Sequence, residues 1–408
     1  MRILYLCHRF PYPPTRGGKI RPFNMIAHLG RSHEITVCSL ARSPAEAAEA
    51  AGIAPYCARY FVHTVRPSTQ RLRMIARLPG TEPSSMGYFY SSALAQRVRR
   101  LLAEERFDLI FVHCSSAAQY VADHEHTPKI LDFGDMDSQK WLEYARYKTF
   151  PLNLGYALEG RKLRAAEQRL ARAFDFCTAT TRAEWETLES YATGTPTDWF
   201  PNGVDAAYFA PAAERYEPDT ISFVGRMDYY PNQECMFRFC AEVLPRVRER
   251  RSDVRMLIVG ADPSPAVRSL GGLPGVTVTG SVPDVRPYLR RSALMVAPLN
   301  IARGTQNKIL EAMAAGVPVV TSKTAAGGVN AEEGTHFLVA SSAAEYADAI
   351  GRVLEDPAER RRLSIAGRER MLSHHSWDRS MQRLDGIIAR ALALRATQGG
   401  LQVPSAVA

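Results

Sequence analysis

The sequence predicts an α/β protein made of two doubly wound parallel sheets that face each other across a cleft. Three observations carry this expectation. The chain has 408 residues, room for two domains that each bury their own core. Short apolar runs alternate with helical patterns, the order that builds a parallel sheet with helices on both faces. The alternation then restarts after Pro201-Asn202-Gly203, so there are two such series, each Rossmann-like.

In the first series the strand candidates are Ile3 to Cys7, Ile35 to Leu40, Tyr60 to Val65, Leu109 to His113, Lys129 to Phe133, Phe176 to Ala179 and Trp199 to Phe200. Helical spacing marks Ile20 to Leu29, Ser92 to Glu104 and Gly155 to Arg172 between them. The second series has runs at Ile221 to Val224, Met256 to Val259, Val276 to Thr279, Leu294 to Ala297 and Val317 to Thr321, with Ser341 placed to cap a helix that starts near Ala343. The stretch from Asp205 to Asp219, rich in Ala, Pro and charge, reads as the linker between the sheets. A last helical pattern, Ser376 to Leu394, carries Trp377, Met381, Leu384, Ile387, Ile388 and Leu392 at helical spacing, and either packs on the second domain or crosses back to the first. The division is then an N-terminal domain over residues 1–200, a C-terminal domain over 201–375, a final helix over 376–395 and a small polar tail, 396–408, expected to be disordered.

Hydrophobic residues make up 46% and charged residues 23% of the chain, which excludes the composition of a disordered protein. The net charge of +9 favours phosphates, nucleic acid or an anionic lipid surface as partners. The excess is regional: nine Arg against three Glu fall between Arg59 and Arg106. Seven cysteines without a CxxC pair read as small buried hydrophobes in a reducing compartment. The apolar stretch in Met1 to Phe10 is too short for a secretion signal, and no run approaches ~18 apolar residues. A cytoplasmic protein without a spanning helix is expected.

Four segments carry chemistry. In Gly304-Thr305-Gln306-Asn307-Lys308-Ile309-Leu310-Glu311 and the residues to Val320, a helix beginning near Thr305 would turn Ile309, Ala312, Met313 and Gly316 toward the sheet and place Lys308 and Glu311 together on another face. The preceding strand leads into that helix start, so N–H groups and the positive dipole end open at a strand's carboxyl edge, where anions bind. Taken alone, Lys308 and Glu311 also fit an ordinary exposed ion pair. In the second segment, Ile221 to Asn232, the strand runs into Gly225-Arg226, and a guanidinium at that edge is either a solvated charge or a fork for phosphate. The third, Arg16-Gly17-Gly18-Lys19, sets two glycines before a helix, a turn or a place of close backbone approach to a ligand. No GxGxxG or GxxxxGK[ST] motif is present. In the fourth, Asp132-Phe133-Gly134-Asp135-Met136-Asp137-Ser138, three carboxylates crowd a strand end, and Asp137 or Ser138 can cap a helix starting near Gln139.

From Glu311 to Val320 the sequence resembles the nucleotide-binding signature of glycosyltransferase family 4, whose members have the GT-B fold of two Rossmann-like domains. The resemblance implies that Glu311 holds the vicinal hydroxyls of a nucleotide ribose and that Arg226 lies on the donor pyrophosphate. It also makes Arg16-Gly17-Gly18-Lys19 the glycine-rich loop that approaches donor phosphate and acceptor. Three positions depart from the pattern. Arg303 stands where the family often has a second Glu near the transferred sugar, leaving that task to backbone around Gly304 or to Gln306. Asn232 stands where a Lys is usual, and Lys308 is expected to replace the charge. Gly134 stands where many members have a His, which leaves Asp135 to contact the transferred sugar, with Asp132 next. Over nearly its whole length the chain is also similar to a bacterial sugar-transferase subfamily associated with exopolysaccharide and exosortase gene systems. Asp135 to Trp141, Pro201 to Asp205 and Gly304 to Ala315 carry that likeness, which implies a lipid-linked or polysaccharide acceptor.

The implied function is a retaining, metal-independent glycosyltransferase that moves a hexose-type sugar from a nucleoside diphosphate donor to an acceptor hydroxyl, with no cofactor. Asp135, Arg226 and Lys308 are the expected catalytic groups. Gly17, Gly18, Arg226, Gly304, Thr305, Gln306, Asn307, Lys308 and Glu311 bind the donor, and Arg16, Lys19 and Asp132 lie on the acceptor side. A sugar-nucleotide epimerase on the same architecture is the rival. A nucleic-acid binder is disfavoured, because the Arg excess is not interleaved with aromatics in an RNA-binding motif. Finally, Arg66 to Leu78 carries four Arg and no acid, with Leu72, Ile75 and Leu78 in one stripe. It is either a core-facing helix with a basic rim or a surface that docks on the anionic inner face of the membrane, where a lipid-linked acceptor is found.

Overall fold

Seven strands form the first sheet: β1 (Arg2–Cys7), β2 (Glu34–Ala41), β3 (Arg59–Thr64), β4 (Leu109–His113), β5 (Lys129–Gly134), β6 (Phe176–Ala179) and β7 (Thr197–Trp199). They are all parallel, in the order β3-β2-β1-β4-β5-β6-β7. The second sheet has β8 (Glu217–Val224), β9 (Arg255–Val259), β10 (Val276–Gly280), β11 (Ser292–Ala297), β12 (Val319–Ser322) and β13 (Leu338–Ala340), again all parallel, in the order β10-β9-β8-β11-β12-β13. In each sheet the strand order reverses once, between β1 and β4 and between β8 and β11. At such a reversal the flanking connections leave in opposite directions and open a crevice at the carboxyl ends of the strands. Strands β1, β4, β5 and β11 are buried on both faces, which is why they read as continuous apolar runs instead of alternating ones.

These features belong to a computed structural model that describes residues 1–211 and 216–399. The chain divides into a unit of Met1–Phe200 plus the segment from Met381 onward, and a unit of Pro201–Ser380. The final helix, Trp377–Gly399, starts in the second unit and continues in the first. There Met381, Leu384, Ile387 and Ile388 are buried, Asp385 meets His28 at 2.9 Å, and Arg395 meets Asp175 at 3.1 Å.

Several expectations need correction. The helix continues past 395 to Gly399, so the start of the expected tail is helical, and residues 400–408 lie outside the described residues. The expected linker at 205–219 lies within the second unit. Its last residues already belong to β8, and 212–215 lie outside the described residues. The helix expected from Ile20 begins at Gly17, the one expected from Gly155 begins at Leu152, and β13 escaped notice because three residues carry no period. Ser342, not Ser341, caps the helix Ala343–Glu355 by accepting from the Glu345 N–H. Cys57 is half-buried, unlike the other six cysteines. No helix among the described residues is long and apolar enough to cross a membrane.

Candidate active site

In the second unit the helix Asn307–Ala314 starts ten residues past the end of β11, two residues later than the sequence suggested. Its apolar stripe, Ile309, Ala312 and Met313, is buried against the sheet. Gln306 occupies the N-cap position without a side-chain cap, which leaves N–H groups of the first turn for an outside acceptor. The Gln306 side-chain amide donates to the Arg303 carbonyl at 3.0 Å. Asn307 accepts from Asn202 at 3.3 Å. Gly304 is buried, and the Thr305 hydroxyl beside it is buried without a hydrogen-bond partner, an unusual state for a polar atom unless a ligand completes it.

Lys308 and Glu311 project from the same side of this helix. The Lys308 ammonium donates to Asn232 Oδ1 at 2.6 Å and sits 4.4 Å from the centre of the Phe223 ring. A Cβ at Gly225 would come within 3.2 Å of Lys308 Nζ and 2.8 Å of the Asn232 amide, so glycine at the end of β8 is what admits the lysine to this spot. The ammonium therefore lies beside the Asn232 side chain. The Glu311 carboxylate has no hydrogen-bond or ion-pair partner among the described residues. Both groups keep some accessible surface, yet protein surrounds them on most sides. Burial pushes Glu311 up to about 7, with Lys308 opposing, and burial pulls Lys308 down to about 8, with Cys235 and Glu311 opposing. A carboxyl and an amine shifted toward neutrality in one cluster make this a candidate functional site.

Arg226 follows β8 at the same edge, but it is not a free cation. Its guanidinium is shared between Asp228, at 2.7 Å, and Asp262, and hydrogen bonding to Asp228 raises its pKa further. Both carboxylates are half or more exposed, so an incoming anion competes with solvated acids rather than with a buried pair.

In the first unit the expected site residues separate. Arg16, Gly17 and Gly18 are exposed at the start of the helix Gly17–Leu29. Lys19 is buried, held by Glu46 at 2.7 Å and by the Tyr12 carbonyl at 3.2 Å. Asp132 is likewise engaged within the protein. It is fully buried and bound bidentately by Arg21 at 2.9 Å, with Thr178 at 2.9 Å and His113 at 2.8 Å. Burial by itself would raise its pKa, but Arg21 and the His113 hydrogen bond hold it well below the usual carboxylate range. It is an internal ionic node, with protein partners on both carboxylate oxygens. Asp135, by contrast, is partly exposed and has no hydrogen-bond partner among the described residues. Burial raises its pKa, against the pull of Lys140 and with the push of Asp137. Neither Asp137 nor Ser138 caps the next helix, Asp137–Tyr147, whose N-cap is Met136. Glu184 accepts from the Met136 N–H at 2.7 Å and Glu167 from the Ser138 N–H at 2.9 Å, so carboxylates from other helices serve that start.

The structure brings in one residue to which the sequence assigned no role. Gly134 has φ +69°, a left-handed conformation that disfavours a histidine there, and a Cβ built on it would lie 3.5 Å from His113 Cε1. An imidazole thus stands beside Gly134, supplied by the neighbouring strand β4. Its Nδ1–H donates to the ionised Asp132 at 2.8 Å, which orients the ring and leaves Nε2 as the free nitrogen. The signal in the sequence was only a histidine at a strand's carboxyl end. Among the described residues no group of three or more His, Cys, Asp or Glu is arranged to hold a metal ion.

Two family models match the chain: a glycosyl transferase 4-like domain over residues 17–203 and the glycosyl transferases group 1 over residues 218–356. A phosphatidyl-myo-inositol mannosyltransferase of Mycobacterium leprae is 28% identical over 293 residues, 69% of this chain and 73% of that protein. A D-inositol 3-phosphate glycosyltransferase of Kineococcus radiotolerans is 26% identical over 354 residues, 78% of this chain and 79% of that protein. Among solved structures, sucrose-phosphate synthase from Thermosynechococcus elongatus superposes with TM-score 0.70 at 18% identity, covering 96% of this chain and 100% of that one. Anabaena HepE in complex with UDP-glucose does so with TM-score 0.67 at 16% identity over the same shares.

Proposed function

From a chain that is a GT-B glycosyltransferase, a 4-like domain followed by a group 1 domain, we propose a retaining, metal-independent enzyme. It moves a hexose-type sugar from a nucleoside diphosphate to a hydroxyl of a lipid-linked or polysaccharide acceptor in exopolysaccharide or lipid-linked glycan synthesis. The observation that carries the donor reading is the Lys308–Glu311 pair at the carboxyl edge of β8 and β11, with the unpartnered Thr305 hydroxyl and an uncapped helix start alongside. An ionised carboxylate with no protein partner suits the two hydroxyls of a ribose. As the glycosidic C–O bond breaks, negative charge grows on the β-phosphate. The N–H groups from Gly304 to Asn307, the Lys308 ammonium and Arg226 then bind the transition state more tightly than the ground state, each such donor contributing ~3 kcal/mol. The acceptor oxygen attacks on the face the phosphate leaves, and no protein nucleophile takes part. Asp135 and the oriented His113 imidazole are assigned to polar contacts with the transferred sugar.

The test is a thermal-shift screen against nucleoside diphosphates and their sugars, beginning with the uridine series because a structural relative binds UDP-glucose. One donor should raise the melting temperature with log concentration, and the rise should vanish in Glu311→Ala. A shift that survives Glu311→Ala refutes the ribose assignment. Incubating labelled donor without acceptor separates transfer from the epimerase alternative, since conversion of the sugar under those conditions requires an epimerase.

The proposal includes attachment to the cytoplasmic face of an anionic membrane. The helix Pro67–Ala76 is not core-facing: of its side chains only Gln70 is buried, while Leu72, Ile75 and Leu78 are 68%, 56% and 52% exposed. Lys162 donates to the Leu78 carbonyl at 2.8 Å, and one to three turns before it on the helix Leu152–Ala173 stand exposed Leu158, Leu154 and Leu152, with Phe150 77% exposed just ahead. Arg66 and Arg71 are exposed beside this apolar set, whereas Arg73 and Arg77 fold onto the Tyr90 ring. Exposed apolar side chains together with exposed arginines fit the boundary of an anionic bilayer. Vesicle sedimentation should show binding that needs anionic lipid and is lost in Leu72→Ser/Phe150→Ser. Binding that ignores either change refutes the attachment and leaves the transferase reading standing.

A further inference from the structure

The second unit holds a cavity of about 150 Å³ whose wall contains neither Lys308 nor Glu311. Pro298, Ser322 and Ala340, at the carboxyl ends of β11, β12 and β13, form part of that wall. A second part comes from the helix Tyr230–Arg238 and from Phe239–Val243, a π-helical turn that continues it. Such turns are rare and recur at functional sites. The helix Ala343–Glu355 begins at the cavity. At ~30 Å³ per liquid water the space equals about five waters, enough for a small oxyanion and too little for a nucleotide.

Most polar groups around this space have partners inside the protein. Ser322 Oγ donates to the Leu299 carbonyl at 2.5 Å, and Asn300 donates to Glu234 at 3.0 Å. Glu242, the carboxylate in the wall, accepts from Arg238 at 3.1 Å. The Ser342 hydroxyl caps the helix by accepting from the Glu345 N–H, and the Glu345 carboxylate accepts from the Ser341 N–H at 2.8 Å. Tyr346 is the exception. It lines the cavity, is only 7% exposed, and has a buried hydroxyl with no hydrogen-bond partner. A helical side chain leans toward the N-terminus of its own helix, so Tyr346, on the first turn, directs that hydroxyl toward the helix start. A buried hydroxyl left unpaired destabilises the free protein, and a ligand that accepts from it recovers the loss. The remaining groups are donors too. The N–H groups of Ala343 and Ala344 make no hydrogen bond among the described residues, and Lys323, exposed in the cavity wall, has no ion pair among them.

We propose that this cavity binds a phosphoryl oxyanion, received by the Tyr346 hydroxyl, the N–H groups of Ala343 and Ala344 and the Lys323 ammonium. All of these groups donate, and the oxygens of a phosphate dianion accept, so charge and hydrogen-bonding capacity match. The anion also lies at the positive end of a helix of 13 residues. The site is separate from the donor cluster and does not rest on the transferase reading. The shared chemistry is a phosphoryl group, whose source is inorganic phosphate or the phosphoryl end of a sugar phosphate.

The experiment titrates inorganic phosphate into the intact protein and into Tyr346→Phe, Lys323→Glu and Lys308→Ala, read by calorimetry and thermal shift. Tyr346→Phe should weaken phosphate binding by about 10-fold or more, the size of a lost hydrogen bond to a charged group. Lys323→Glu reverses an exposed charge at the cavity and should weaken it as well, whereas Lys308→Ala should leave it within about twofold of wild type, since the donor cluster is elsewhere. Without ligand, Tyr346→Phe should melt at the wild-type temperature or higher, because the hydroxyl it removes has no partner to lose. A hexose 6-phosphate added as competitor identifies the source: displacement of the phosphate assigns the site to a sugar phosphate, and no displacement assigns it to inorganic phosphate. The proposal is overturned if the intact protein binds no phosphate, if binding is unchanged in either Tyr346→Phe or Lys323→Glu, or if it is lost in Lys308→Ala. A Tyr346→Phe protein that melts lower without ligand overturns it too, since the hydroxyl then serves the fold.

Discussion

Replacing Glu311 by Gln should stabilise the free protein and disable it. The carboxyl is pushed from 4.5 to about 7 in the folded state, mainly by burial. A raised folded-state pKa means that the folded protein holds a proton which the unfolded chain has released, so stability falls as pH rises from about 4.5 to 7, and the whole loss is present above that window. At ~1.36 kcal/mol per pH unit the shift corresponds to at most ~3.4 kcal/mol. The side chain keeps some contact with solvent, which screens the charge and brings the expected gain down to about 1–2 kcal/mol. For a unit of this size that is a rise of roughly 2–8 °C in melting temperature. Gln keeps the shape but not the charge, so the gain should appear at pH 8 and vanish near pH 4.5. Nucleoside diphosphate affinity at pH 8 should fall by about 10- to 100-fold, the size of a lost hydrogen bond to a charged group. Scanning fluorimetry at the two pH values, paired with calorimetric titration of the nucleotide, measures both effects. A variant that melts lower at pH 8, or that binds the nucleotide as well as the wild type does, refutes the reasoning.

Arg226→Ala and Lys308→Ala should each lower kcat, and the double variant should lose less than the product of the two if both cations act on one pyrophosphate, which steady-state kinetics reads as a double-mutant cycle. With Glu311 near 7 and Lys308 near 8, donor kcat/KM should rise through the first value as the carboxylate forms and fall through the second as the ammonium is lost. Glu311→Gln should remove the acid limb of that profile. Arg21→Met strips a buried carboxylate of its bidentate partner and should destabilise the protein by ~3–5 kcal/mol in denaturant unfolding, much of which Arg21→Met/Asp132→Leu should recover. His113→Asn should lower kcat while nucleotide affinity stays within twofold of wild type, since the imidazole lies in the other unit from Glu311.

The alternation of apolar runs with helical periods was enough to read twelve of the thirteen strands and the parallel character of both sheets, because those signals lie within a few residues of one another. The same holds for Lys308 and Glu311, whose shared helix face follows from their spacing by three. What neutralises or frees a side chain is decided by partners far away in sequence, and there the local pattern was silent or misleading. Asp132 reads as one of three carboxylates at a strand end, yet Arg21, 111 residues earlier, reaches it and binds it in the interior. Arg226 reads as a free fork until Asp262, 36 residues on, closes over it. His113 gains its place beside Gly134 only because β4 and β5 are neighbours in the sheet. Periodicity specifies which face of an element is buried. Strand order and the approach of distant side chains specify which charges remain unpaired among the described residues, and Glu311, left without a partner, is where the donor chemistry is assigned.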